Sequence, residues 1–270
     1  MASELFDRRW AITVGKPGAT GKKWTGIDCS FKVTKTASST PNCVELTVYN
    51  LSKASRSLFE QRKTALLIEA GYDGRLVKIA SGEIIRAAQS HEGPEWETKV
   101  TAHDGSTAYG TVCNEVLGPG TTEDAAVKAV AKAMGVDIKS IKGLDGKGKF
   151  SHGRILSGPA RFALDRLCRT RNLRWSIQDG ALLVYPIGGS IGGTAALLSP
   201  ETGLIGSPEK TDKGYKIISL MQGQITPGMP VKVKARDVSG LFVCETVIHT
   251  GDTMGSDWYT EINAVKVSNG

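Results

Sequence analysis

Apolar and polar residues alternate with a period of two along much of the first 120 positions, in short runs punctuated by Gly, Pro, Asn and Asp. Such runs predict strands over residues 10–14, 27–35, 44–49, 64–71, 76–87 and 96–102. In the second run Phe31, Val33 and Lys35 share one phase while Lys32 and Thr34 take the other, the pattern of a strand with one face on a core. One helix interrupts the stretch: Ser52 is its N-cap, and Ser55, Leu58, Phe59 and Arg62 follow at helical spacing up to Lys63.

The period changes after Gly118-Pro119-Gly120. Thr121 or Thr122 caps a helix whose first turn carries Glu123 and Asp124, whose body is the Ala-rich run 125–134, and which Gly135 ends. A second helix is predicted over 159–171, with Pro159 in its first turn and Phe162, Leu164, Leu167 and Cys168 as its apolar positions. Strands at 173–178 and 181–185 flank the turn Asp179-Gly180, a hairpin signal. A Gly-rich connector at 188–193 then leads to strands over 214–221, 229–235, 241–249 and 256–267, with turns at Pro227-Gly228 and Ser239-Gly240. The pattern predicts a mainly β chain with an α+β insertion, divided into a β domain at 1–120, an α+β module at 121–187 and a second β domain at 188–270.

Composition narrows the class. With 40% hydrophobic residues in 270 the chain fills real cores, and no stretch approaches the 18 consecutive apolar residues of a membrane-spanning helix. The N-terminus lacks the basic-then-apolar order of a signal peptide, which predicts that the protein starts in the cytoplasm of the producing cell. Cys29, Cys43, Cys113, Cys168 and Cys244 are single and odd in number, the usage of small buried residues in a reducing compartment rather than of a disulfide framework or zinc site.

Charge is unevenly spread. The formal net charge of +7 divides into +2 over 1–120, +6 over 121–185 and −1 over 186–270. Arg161, Arg166, Arg169, Arg171 and Arg174 cluster around the second module helix and its exit, with Arg161 spaced to pair with Asp165. No aromatic residues interleave with them as nucleic-acid readout requires. The cluster predicts a docking face for an acidic neighbour, with Arg161, Arg166 and Arg169 at its centre.

Candidate chemistry is sparse. Residues 143–149 match GxxxxGK, but Phe150 stands where a Mg²⁺-binding Ser or Thr belongs, and the pattern predicts neither a strand before nor a helix after it. Residues 15–22 are a second near match with one spacer too many. His249, Asp252, Asp257 and the pair His103-Asp104 are the His/Asp neighbours, without the converging spacing of a metal site. No nucleophile elbow or hydrolase carboxylate pair accompanies them. His249 is expected to serve a strand end by bonding to a following Gly251-Asp252 turn. No catalytic residue, cofactor or metal is expected.

Two stretches carry a family resemblance. The first runs from Phe31-Lys32-Val33-Thr34-Lys35-Thr36 through Pro41-Asn42 to Val44-Glu45-Leu46-Thr47-Val48-Tyr49-Asn50-Leu51-Ser52. The second comprises Thr202-Gly203-Leu204-Ile205-Gly206-Ser207-Pro208-Glu209, Gly214-Tyr215-Lys216-Ile217, Ile225-Thr226-Pro227-Gly228 and His249-Thr250-Gly251-Asp252 leading to Asp257-Trp258-Tyr259-Thr260-Glu261-Ile262. In order and spacing they resemble the baseplate hub proteins of tailed phages, the late control protein D-like hubs that carry the central spike.

The resemblance implies a structural virion protein, not an enzyme, made in the host cytoplasm and placed finally at the tail baseplate, with two tail-tube-like β-barrels flanking the α+β module. It implies a homotrimeric ring joining a six-fold tail tube to a three-fold spike, with baseplate wedge or adaptor proteins around it and DNA passing its lumen without sequence-specific contacts. The compact chain looks most like hubs of contractile tails. The resemblance places Leu204, Ile205, Gly206 and Pro208 at the start of the second barrel. It puts His249, Gly251 and Asp252 in the turn before the last long strand, along which Trp258, Thr260 and Ile262 alternate as packing or inter-subunit contacts. Two other readings differ in class: a cell-wall-binding or cell-wall-degrading tail protein acting through the basic module, and a tail-tube or distal-tail protein of the same barrel ancestry.

Overall fold

The computed structural model of the chain describes residues 7–61, 63–144 and 148–267. Strands dominate, as the period-two pattern predicts. The N-terminal region contains β1 (Arg8–Gly15), β2 (Lys22–Thr25), β3 (Cys29–Thr36), β4 (Cys43–Tyr49), helix α1 (Lys53–Phe59), β5 (Ala65–Tyr72), β6 (Arg75–Glu92) and β7 (Glu95–His103). Ser52 caps α1, its side chain accepting from the Ser55 N–H. The helix ends at Phe59; Arg62, placed on it by the spacing, lies outside the described residues.

The middle region follows with α2 (Ser106–Tyr109), β8 (Val112–Leu117), α3 (Glu123–Met134), β9 (Asp137–Ile141), β10 (Arg154–Pro159), α4 (Ala160–Arg169), β11 (Leu173–Gln178) and β12 (Ala181–Pro186). Helix α3 is capped as read: the Thr122 side chain accepts from Ala125 N–H, and Gly135 ends the helix at φ +67°, where a side chain would be strained. The strand β9 leads into the GxxxxGK stretch, contrary to expectation, and no helix leads out; residues 145–147 lie outside the described residues. The last region holds β13 (Ala196–Leu198), a 3-10 turn at Pro200–Thr202, β14 (Leu204–Lys210), β15 (Tyr215–Leu220), β16 (Pro230–Lys234), β17 (Ser239–Asp252) and β18 (Trp258–Lys266). No helix among the described residues is long and apolar enough to cross a membrane.

Thirteen strands from both outer regions form one sheet, in the order β14-β15-β18-β17-β3-β4-β7-β6-β5-β1-β2, with β16 also on β17 and β13 on β16. Two long strands change partner midway. β17 pairs with β16 through Ser239–Val243 and then with β3 through Thr246–Asp252, across an irregularity between Cys244 and Thr246. β6 pairs first with β5 and then, from Glu83, with β7. At that changeover the backbone of Gly82 lies so close to the His103 carbonyl that a Cβ would collide with it. The expected two β-barrels therefore meet a single sheet shared by both regions, because β17 and β3 pair directly and join them.

Three principal apolar clusters fill the molecule. One lies among the N-terminal strands and includes Ile12, Phe31, Val33, Leu46, Phe59 and Ile68, with Trp258 reaching in from β18. The second is built from the last region, with Ile217, Val231, Phe242, Val247 and Ile262. The third packs α3 and α4 against β8, β10, β11 and β12. Ala108, Tyr109, Cys113 and Leu117 belong to this third cluster, although composition alone assigns them to the region before residue 120.

Candidate docking surfaces and the junction that holds them

The inward phase of β3 ends on a charge. Lys35 is 2% exposed, and its Nζ lies 3.2 Å from both carboxylate oxygens of Asp179 in the β11–β12 turn. Asp179 takes φ +55° there, which Asp tolerates at a hairpin tip. Asp104, just past β7, accepts from the backbone N–H groups of Asp179 and Gly180, the latter at 3.0 Å. Asn42 donates to Gln178 Oε1 (2.9 Å) and the Ile177 carbonyl (3.1 Å), while Gln178 donates to the Thr36 carbonyl at 2.8 Å. A second clamp joins Arg174 of β11 to Glu245 of β17 at 2.9 Å. The hairpin tip of the module is thus plugged into the shared sheet by partners from both β regions.

Burial sets the protonation of this plug. It pushes the Asp104 carboxyl up to about 6, aided by the neighbouring Asp179 charge and opposed by the two backbone N–H donors and Lys35. Burial likewise lowers the Lys35 ammonium, against the pull of Asp179 and Asp104. Neither Asp104 nor Asp179 faces a His or Cys set of metal-ligand kind, and among the described residues no group of three ligating side chains converges. The thiols of Cys29 and Cys168 are driven by burial to about 12, and that of Cys244 also upward, so they are inert as nucleophiles at neutral pH.

His249 and its expected partners fall elsewhere than in a turn. β17 runs through to Asp252, because His249 pairs with Thr260 on one side and Val33 on the other, and Gly251 with Trp258 and Phe31. The turn is 253–257, where Asp252 Oδ1 accepts from the N–H groups of Met254 (2.9 Å) and Gly255 (3.0 Å). Arg8 of β1 secures it by donating to the carbonyls of Gly255 (2.9 Å) and Ser256 (2.8 Å). Trp258, Thr260 and Ile262 alternate inward and are buried within the chain itself. Trp258 is met by Phe31 and Trp10, with ring centroids 5.5 and 6.0 Å away. Leu204, Ile205, Gly206 and Pro208 form the edge strand β14, whose pairing with β15 breaks between Ile205 and Glu209; Gly206 sits there at φ +65°. A proline without an N–H and a bulge both suit a strand at a sheet edge. The chain has already reached the last region through β13, so these four residues stand at an edge rather than at its start.

The His249 imidazole is wholly buried, with Nδ1 3.0 Å from Thr260 Oγ1, and burial together with the nearby Lys35 charge lowers it from 6.5 to about 3. A depressed pKa means that the neutral form stabilises the fold above pH 6.5 and that this contribution is lost as pH falls toward 3. The raised pKa of Asp104 works in the opposite sense, its contribution being lost as pH rises through about 6. Between pH 7 and pH 5 the His249 part amounts to about 2 kcal/mol. Urea unfolding of His249→Gln at pH 7 and pH 5 is therefore expected to lack that acid-side loss relative to the wild-type chain. Equal pH dependence in the two proteins would remove His249 from this role.

The basic cluster is exposed as read, but not paired as read. Arg161, Arg166 and Arg169 line the outer face of α4. Asp165 instead accepts from Trp175 Nε1 at 2.8 Å, and the Arg161 guanidinium lies 4.9 Å from the centroid of the Phe162 ring. Arg171 is taken up by Glu123. The feature missed in the sequence is apolar: Val112 (62%), Val116 (78%) and Ile155 (72%) are the most exposed large hydrophobic side chains, and all three lie on one face of the β8–β10 ribbon.

Comparison with known families puts a chain with these sheet edges and exposed faces in the class of phage tail and baseplate structural proteins. The family described as Baseplate hub gp41 matches residues 12–237. The chain belongs to that family. No curated protein matches it by sequence. Solved structures with the same fold include the 43 kDa tail protein of prophage MuSo2 from Shewanella oneidensis, at 10% identity and TM-score 0.67 over 96% of this chain and 98% of that one. A tail protein from Neisseria meningitidis MC58 matches at 12% identity and TM-score 0.63, over 95% and 96% of the two chains. The E. coli c3393 protein matches at 12% identity and TM-score 0.60, over 95% of this chain and 77% of that one. It is described as a component of the type VI secretion system with structural similarity to T4 tail proteins gp27 and gp5.

Proposed function

We propose that the chain is the non-enzymatic hub ring of a contractile phage tail, a virion component in which three copies join the six-fold tail tube to the three-fold central spike. The observation that carries this reading is the family match over 12–237, which takes in most of the N-terminal β region, the module and the last region as far as β16. Each copy supplies two barrel-like β units, so that three copies offer six to the tube while keeping three-fold symmetry for the spike. The two partner-switching strands β6 and β17 support such curling, because a strand that changes neighbour midway turns a sheet through a corner. So does Trp258, which meets rings from both β1 and β3 across one core. The α+β module, taken together with α2 and β8, projects to the periphery, where wedge or adaptor proteins dock, and DNA passes the lumen without sequence-specific contacts.

The bulged, proline-bearing edge β14 and the short edge β2 fit a chain whose sheet ends meet other subunits only in the finished ring. Native mass spectrometry of the purified chain with the spike protein is expected to give a complex holding three copies of the chain. A complex with a single copy, or no association at all, would refute the ring.

A further inference from the structure

The outer face of the β8–β10 ribbon is an apolar surface with nothing over it in the monomer. In register, Val116 stands opposite Ile155, Asn114 opposite Ser157 and Val112 opposite Pro159. The other phase of the ribbon, with Cys113, Leu117 and Leu156, is buried against the module core. Soluble chains rarely leave contiguous apolar patches of more than a few hundred Å² unless something binds them. Phe162, half exposed in the first turn of α4, extends the surface beyond Pro159.

The charge that α4 sets at the Pro159 end of this face is positive. Arg161 follows Pro159, and Arg166 and Arg169 continue along α4; all three are exposed, while Arg154 and Glu115 lie on the ribbon's other phase, opposite Leu117 and Leu156. Among the described residues none of the three α4 arginines meets a carboxylate. The Arg161 guanidinium lies instead over the Phe162 ring at 4.9 Å. The acidic groups of the helices are already committed, Glu123 to Arg171, Asp124 to Lys128 and Asp165 to Trp175. The only polar pair on the apolar face, Ser157 Oγ and Asn114 Oδ1 at 2.8 Å, keeps the Asn114 amide N–H groups available to a backbone laid across the strands. The two apolar rows flank this polar row and stand four residues apart along the ribbon, on the order of 13 Å, a separation that an extended segment spans between apolar side chains on one of its faces.

We propose that this face, with the α4 arginines, is a docking site for an extended, acidic-amphipathic segment of another protein: apolar side chains on the Val116–Ile155 and Val112–Pro159 rows, carboxylates on Arg161, Arg166 and Arg169. The apolar face anchors and the arginines orient and select. The inference stands on the module alone and does not depend on three-fold assembly.

The test uses the full chain and fluorescein-labelled peptides read by anisotropy. A peptide of alternating Glu and Val is expected to bind. The paired change Val116→Thr with Ile155→Thr keeps β-branched, strand-compatible residues at exposed positions, and is expected to weaken binding about tenfold or more without altering circular dichroism. Arg161→Glu with Arg166→Glu is expected to do the same. The proposal is overturned if no peptide binds, if a Glu/Ser peptide binds as well as Glu/Val, or if a Lys/Val peptide does. Binding of the wild-type chain to vesicles of anionic lipid in place of the peptide would assign the face to a membrane. Self-association that the threonine pair abolishes would assign it to a second copy of the chain. Either of these outcomes also overturns the proposal.

Discussion

Lys35→Met is expected to cost the folded chain about 3 kcal/mol. The buried ammonium is the cation that two carboxylates share: it bonds to Asp179 and lies in the field of Asp104, both of which sit where water reaches poorly. Removing one partner of a buried pair leaves the other charge uncompensated, a loss of about 3–5 kcal/mol in measured cases. Lys78 remains 3.9 Å from Asp179 and holds the expected figure at the lower end. Methionine keeps the apolar stem in place, so the effect reports charge rather than packing. Adding Asp104→Asn to the same chain should return part of the loss, since the two changes act on one network and do not add. Chemical denaturation of the two single variants and the double variant measures this directly. A loss below about 1 kcal/mol for Lys35→Met would mean that the module is held to the sheet by other contacts.

Gly251 is the other sensitive point. It lies in β17 opposite Phe31, and a Cβ added there would fall well inside the van der Waals surface of that ring. The ring has nowhere to go: Phe31 is 3% exposed and wedged edge-on against Trp258. Overfilling a packed core costs about 1–3 kcal/mol, and a β-branched residue adds two more atoms to the clash. Gly251→Ala is expected to lose about 2 kcal/mol and Gly251→Val more. Phe31→Leu should relieve Gly251→Ala in part by opening space at the same spot. Thermal melting that leaves Gly251→Ala at the wild-type midpoint would show that the strands separate there without cost.

Why was this glycine expected in a turn? The run His249-Thr250-Gly251-Asp252 carries turn residues, and local chemistry favours a bend there. Tertiary pairing overrides it: β3 lies alongside and the Phe31 ring covers the site, so glycine marks a close approach and the turn slips to 253–257. The same logic explains the rest. Helix α3 and the β11–β12 hairpin are legible because their cap and turn residues are local, and α4 because Leu164, Leu167 and Cys168 recur at helical spacing after Pro159. Strand β3 shows its alternation, and even the inward phase of Lys35, within eight residues. The ribbon is not legible, because β8 and β10 carry apolar residues on both phases and sequence alone does not tell which face is covered. Nor is the plug, since Lys35, Asp104 and Asp179 meet only after the chain has returned across 144 positions. The basic helix face was visible as composition; that its arginines stand beside an open apolar face was not.

A hub ring of three copies, each a single shared sheet with the module plugged into it, is the reading proposed for this chain. Electron cryo-microscopy of the tail end of the phage that carries this chain tests that claim most directly. The account predicts three copies in one ring on the tail axis, with the tube on one side, the spike on the other and the β8–β10 ribbon at the outside. Six copies in the ring, or copies placed away from the axis, would contradict it.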